Sequence, residues 1–152
     1  MAEPSSFERE QFEANRRTYM QVVSSMSLQY AVFALTFVAI LLALLFGPVP
    51  RQDLIFSYPA AIASLFPAAT CFAWSIRYSR QLGQITANPL PPVGPDSFPA
   101  MKDYYHDLTE REMEKDRMGR ALLSLIWDEG TTFLVAASIF AILVVLSLVI
   151  QH

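Results

Sequence analysis

Three stretches of this chain, 28–46, 54–76 and 131–150, each run for at least 19 residues without a charged side chain. A backbone placed in hydrocarbon has no water to bond its amides and carbonyls. It must therefore satisfy them internally, which for a single segment means a helix. A helix rises 1.5 Å per residue, so about 20 residues cross a hydrocarbon core of roughly 30 Å. The three stretches therefore predict an all-α integral membrane protein with three transmembrane helices. Composition agrees: 53% of residues are hydrophobic and 16% charged, against about 25% charged in soluble domains. A net charge of -3 and a pI near 5.3 give no footprint for nucleic acid.

The segments around the spans divide the chain further. Residues 1–27 read as an amphipathic lead helix. Ser5 and Glu8 have capping-box spacing. Phe12, Tyr19, Val22, Val23, Met26, Tyr30 and Phe33 recur at helical steps, so the lead runs unbroken into the first span. This stripe packs either within one protomer or between protomers. Gly47-Pro48-Val49-Pro50-Arg51-Gln52-Asp53 reads as a short loop, making 28–76 a two-span hairpin. Pro67, inside the second span, predicts a kink, because it removes an amide donor and crowds the preceding turn.

Residues 77–130 read as a linker followed by a charged helix. Asn88-Pro89-Leu90-Pro91-Pro92-Val93-Gly94-Pro95 cannot be helical, because each proline disfavours helix at the residue before it. It reads as a stiff spacer. A helix is expected from Ser97-Phe98-Pro99, with Pro99 in its first turn. The run Thr109 to Arg117 is almost wholly charged and reads as a solvated face. Asp107 with Arg111 and Asp116 with Arg120 are spaced as pairs within the helix.

Orientation follows from lysine and arginine. Arg9, Arg16 and Arg17 precede the first span, and seven basic residues lie in 77–130. Arg51 alone lies in the short loop. The N-terminus and the 77–130 segment are thus expected in the cytoplasm and the C-terminus outside, in a bacterial inner membrane. No cleavable signal is expected, since 27 mostly polar residues precede the first apolar run.

Little in the chain suggests chemistry. The spans contain no Asp, Glu, Lys, Arg or His, which argues against pumps and coupled transporters. No histidine pair lies in a span to hold a haem. Asp103, Asp107 and Glu110 surround His106, but the cluster lacks a second His or a Cys, and zinc sites favour such ligands. His106 therefore reads as an exposed helix residue. Cys71, the one cysteine, reads as a small hydrophobe. No phosphate loop, nucleophile elbow or catalytic carboxylate pair is present. The expectation is a protein without catalytic, cofactor or metal residues.

The candidate functional residues are instead packing and anchoring ones. Ala60, Ser64 and Ala68 place small side chains on one face of the second span, which allows close helix approach inside the chain or between copies. Ser57, Ser64, Thr70 and Ser75 form its modest polar series, a candidate pore face. Trp74, Tyr78 and Trp127 sit where interfacial anchors belong.

A polar lead helix with Asn15-Arg16-Arg17, a hairpin turn at Gly47-Pro48, and an exit with Trp74, Arg77, Arg80, Gln81 and Ile85 together resemble the bacterial SLATT-type membrane effectors over about residues 7–85. The third span is additional to that two-span plan. The resemblance implies an oligomerising effector that perturbs membranes or forms pores, as in anti-phage defence. A second likeness, over residues 8–46, is to short accessory subunits of bacterial terminal oxidases. It implies an accessory or assembly subunit of a larger membrane complex such as a respiratory one. The expected partners are the lipid bilayer and either further copies of this chain or the subunits of such a complex.

Overall fold

The computed structural model describes residues 6–47, 54–88 and 98–151. They form five helices: α1 Ser6–Phe46, α2 Leu54–Ala87, α3 Phe98–Lys115, α4 Arg117–Leu123 and α5 Glu129–Gln151. No strand occurs among the described residues. α1, α2 and α5 are long and apolar enough to cross a membrane. Ser5, residues 48–53 expected as a loop, the proline run from 89 onward and His152 lie outside the described residues, as does the Glu8 side chain.

α1 joins the lead segment and the first apolar stretch in one helix of 41 residues, as the unbroken stripe predicts. α2 is a single helix through both Pro59 and Pro67. It also corrects an expectation: residues 77–87 are helical and not part of the linker. The charges at Arg77 and Arg80 mark a change of surroundings, which does not require a change of backbone. Helix is forbidden only where the prolines begin, and Asn88 closes the last turn by donating its amide to the Gln84 carbonyl at 2.9 Å.

The chain forms two compact units. The first takes residues 1–29 and 75–123; the second takes 30–74 and 124–152. The boundaries at 29/30 and 74/75 fall within two residues of the expected span limits at 28 and 76.

In the first unit, α1 contributes Tyr19 and Val23 to a core, α2 contributes Ile85, and α3 contributes Met101 and Tyr105. Phe12, Met20, Tyr78, Leu82, Tyr104 and Leu108 pack against it. Two four-residue repeats supply this packing. Arg77, Gln81 and Ile85 form one buried line on α2, and Met101, Tyr105, Thr109 and Met113 form another on α3. Four-residue steps keep side chains on one helix face. Ser27 and Ser75 each donate a hydroxyl to the other's backbone carbonyl, at 3.1 and 2.9 Å, and so join α1 to α2.

The chain turns between α3 and α4 at Asp116. Its carboxylate accepts from the Met118 amide at 3.3 Å, and the Asp116 amide donates to the Met113 carbonyl at 3.3 Å. Gly119 is buried against that turn, and a Cβ there would stand 2.2 Å from the Met113 carbonyl oxygen. The turn requires glycine because of close approach.

In the second unit the buried residues are small: Ala34, Ala61, Ala63, Ala68 and Ala73, with Ser57, Ser64, Thr70 and Thr132. The large apolar ones, including Phe33, Leu35, Leu65, Phe72 and Phe133, are exposed. Asp128 caps α5: one carboxylate oxygen accepts from the Thr131 amide at 2.9 Å and the other from the Thr131 hydroxyl. An acidic cap suits the positive end of a helix. The Thr131 hydroxyl and amide hold the Asp128 carboxyl below the usual carboxylate range.

Candidate functional site

The most developed polar arrangement lies in the first unit, where α2 meets α3. Arg77 is buried, its side chain only 7% exposed, yet it carries a full charge. A buried guanidinium is costly unless paired and hydrogen-bonded. Arg77 Nη2 donates to Glu110 Oε1 at 2.7 Å and also to His106 Nε2. The His106 ring is half-buried: its Nε2 lies 3.7 Å from Glu110 Oε1 and its Nδ1 lies 3.9 Å from Asp107 Oδ1. Glu110 is about 41% exposed, so it can keep some solvation while neutralising the arginine.

Two expectations are corrected here. His106 is not a free surface histidine, because the α2 helix extends far enough to bring Arg77 against it. Asp116 does not rely on Arg120: its Oδ2 pairs with Arg80 Nη2 at 3.3 Å. The Met118 amide, first, and the Arg80 guanidinium hold the Asp116 carboxyl below the usual carboxylate range. The charged run thus faces α2 with part of its circumference and is not wholly a solvated face. Lys115 and Glu112 pair along α3 at 2.7 Å, as helix spacing allows.

Beside these pairs an open cleft of about 460 Å³ is lined by Arg80, Gly83, Gln84, Thr109, Glu112, Lys115 and Asp116. Its charged groups already satisfy one another. Below the ion pairs, Gln81 donates its amide to the Tyr19 hydroxyl at 2.7 Å. The Tyr105 hydroxyl donates to the Asn88 carbonyl at 2.7 Å. Burial pushes the Tyr105 phenol above its ordinary value. Of the Asn15-Arg16-Arg17 motif, Arg17 pairs with Glu13 at 3.6 Å on an exposed face, and Arg16 is half-buried on α1.

The residues singled out on the second span lie in the second unit. Ser57, Ser64, Ala68 and Thr70 are buried there and Ala60 is half-buried. The Ser64 hydroxyl donates to its own helix at the Ala61 carbonyl, 2.7 Å away. The Thr70 hydroxyl is buried without a partner among the described residues. This face is therefore used inside the chain.

The three aromatic anchors divide. The Trp74 indole donates to the Trp127 carbonyl at 3.1 Å and stacks on Tyr30, with ring centroids 5.7 Å apart. Trp127 meets Phe66 edge-on at 5.4 Å. Tyr78 instead packs against the core of the first unit, because α2 carries it past the apolar stretch. Phe12, Tyr19 and Val23 of the lead stripe pack within the protomer, while Met26 is exposed.

Sequence reasoning missed Arg77, Gln81 and Ile85 as a packed line, and Met101, Tyr105, Thr109 and Met113 as its counterpart. Both repeats are visible at four-residue steps, but a high density of charge between them obscured the second. Among the described residues no three His, Cys, Asp or Glu side chains are grouped to hold a metal ion. No family model, curated protein or solved structure matches the chain.

Proposed function

We propose that this chain is a non-enzymatic integral membrane protein of the bacterial inner membrane that acts as an accessory or assembly subunit of a larger membrane complex. The N-terminus and the α2–α3 region lie in the cytoplasm and the C-terminus outside. The observation that carries this reading is the burial of Ser57, Ser64, Ala68 and Thr70 within one protomer. A channel needs polar faces that converge on water. In the second unit the large exposed side chains are apolar, which suits lipid or the apolar surface of a partner subunit. The exposed hydroxyls of Thr36 and Ser138 are taken up by their own helices, at the Val32 and Leu134 carbonyls.

The effector reading keeps one observation in its favour, the unpartnered Thr70 hydroxyl. A protomer that opened on assembly would hydrate it. Such an effector must rearrange the second unit before it conducts.

Overproduction of the chain, with membrane potential followed by dye fluorescence and quantitative pull-down, separates the two. A stable potential with fixed-ratio recovery of a larger complex supports the subunit. Depolarisation with growth arrest, relieved by Thr70→Leu, overturns it in favour of the effector. Cysteine labelling in a Cys71→Ser background tests topology at exposed positions, and Glu13 and Asp107 are suitable. Both should label from the cytoplasmic side and Gln151→Cys from the outside. Labelling of positions 13 and 151 from one face would end the three-span reading.

A further inference from the structure

We propose that the hollow beside Arg16 and Arg17 on α1 binds a phosphate group, with the buried Nε of Arg16 as its anchoring donor. The hollow has a volume of about 300 Å³ and is lined by Glu13, Arg16, Arg17 and Met20. Arg16 is half-buried, and its Nε is a buried donor with no acceptor. Among the described residues it has no ion-pair partner: Glu13, three residues before it, pairs with Arg17 instead, at 3.6 Å.

A guanidinium keeps its charge and offers donors only. Buried donors in folded proteins are almost always satisfied, so an orphan donor in the wall of a hollow marks where an acceptor belongs. A charge withdrawn from water without a partner is costly, and an anion removes both costs at once. The Arg16 charge acts inward. Burial pushes the Tyr105 phenol up, and the Arg16 charge is the next influence on it, drawing it down. Tyr105 stacks on Tyr19 in the core of the first unit, where water and salt screen a charge least.

The two arginines select the shape of the anion. Consecutive residues on a helix point about 100° apart, so their forks approach the hollow from different directions. A carboxylate has two oxygens in one plane and suits a single fork. A phosphate group presents three acceptor oxygens in a tetrahedral array and can meet both. Arg17 is free to turn toward it, because its side chain is 80% exposed and its pair with Glu13 is long. The height of the site bears on the source. Arg16 lies twelve residues before Leu28, where the apolar stretch begins, which is about 18 Å along the helix. Headgroups extend only about 5–8 Å beyond the hydrocarbon. A soluble phosphate-bearing molecule therefore reaches the hollow more readily than a lipid does.

The full chain in nanodiscs of neutral phosphatidylcholine, titrated with inorganic phosphate and with chloride at equal ionic strength, tests this. The nitrogen-15 resonance of the Arg16 Nε–H, identified by its loss in Arg16→Gln, should shift saturably with phosphate and not with chloride. In calorimetry Arg16→Gln should weaken phosphate binding about tenfold or more. Glu13→Gln, at an exposed position, should instead tighten it about two- to fivefold by removing the competing carboxylate. Nanodiscs containing phosphatidylglycerol, without added phosphate, separate the sources. A shift of the same resonance there assigns the phosphate to a lipid headgroup, and a shift with inorganic phosphate alone assigns it to a soluble molecule. No saturable shift from either source, an equal shift with chloride, or undiminished binding in Arg16→Gln overturns the site. If Arg16→Gln folds poorly, Glu13→Gln decides: unchanged or weaker binding in that variant overturns the proposal.

Discussion

The first unit buries tyrosine, methionine and isoleucine and shows most of its charged side chains, whereas the second hides alanines and serines and shows phenylalanine, leucine and isoleucine. In the first, Tyr105, Met101, Ile85 and Met113 are fully buried; in the second, Ala61 and Ala73 are the fully buried residues. Water drives the first pattern, because removing large apolar surface from it is favourable. Lipid removes that drive, since hydrocarbon outside is as apolar as hydrocarbon inside. Helices then associate through close contact, and small residues permit it. The inversion is what the proposed placement of the second unit in lipid would produce.

The comparison predicts opposite sensitivities. Shrinking a buried residue should damage the first unit most. Tyr105→Ala removes a fully buried ring and its bond to Asn88, and should cost about 3–5 kcal/mol in reversible unfolding in mild detergent. A loss below that of an ordinary surface change would show that the first unit has no such core.

Enlarging a buried residue should damage the second unit. Ala61→Leu forces extra volume into a fully buried position and should cost about 1–3 kcal/mol. Phe133→Ala, at a side chain 73% exposed, should change stability by about 0.5 kcal/mol or less. If the two variants are equally destabilising, the outer face is packed against something other than lipid.

A smaller effect is expected at Gly119. Its Cβ would collide with the Met113 carbonyl, so Gly119→Ala should cost about 1–2 kcal/mol. Gly83→Ala has open space around the new methyl and should stabilise α2 by about 0.5 kcal/mol. Thermal unfolding of the pair separates steric need from mere helix propensity.

The smallest effect concerns Asp116. Its folded carboxyl is held below the ordinary value of 3.8, so its contribution is fully present above that value and is lost as pH falls from there through the lower folded value. Asp116→Asn should remove that pH dependence from amide exchange in α3 and α4 while leaving exchange in α5 unchanged. A matching change in α5 would mean that the two units are not separately stabilised.

Much of this architecture is legible in the residues. Uncharged length specifies the three membrane-length segments, and the helical stripe joins the lead segment to the first of them. What was hidden is where polar residues find partners. Arg77 looked like a boundary marker and His106 like a surface residue, because charge alone does not tell which face of a helix is covered. The same holds for Ser57, Ser64 and Thr70. Their polarity suggested a pore face, yet their small size lets them fill the interior of the second unit.

The sequence by itself determined the all-helical class, the three membrane-length segments and the break at the proline run. Each follows from local rules: hydrogen-bond satisfaction, helix rise and the steric effect of proline. Only the tertiary structure decided that α2 continues to Ala87, that Arg77 is buried against His106 and Glu110, and that small residues face inward in the second unit. Those outcomes depend on which helix faces meet, and residues far apart in sequence, such as Tyr19 and Gln81, must come together before a buried polar group can be satisfied.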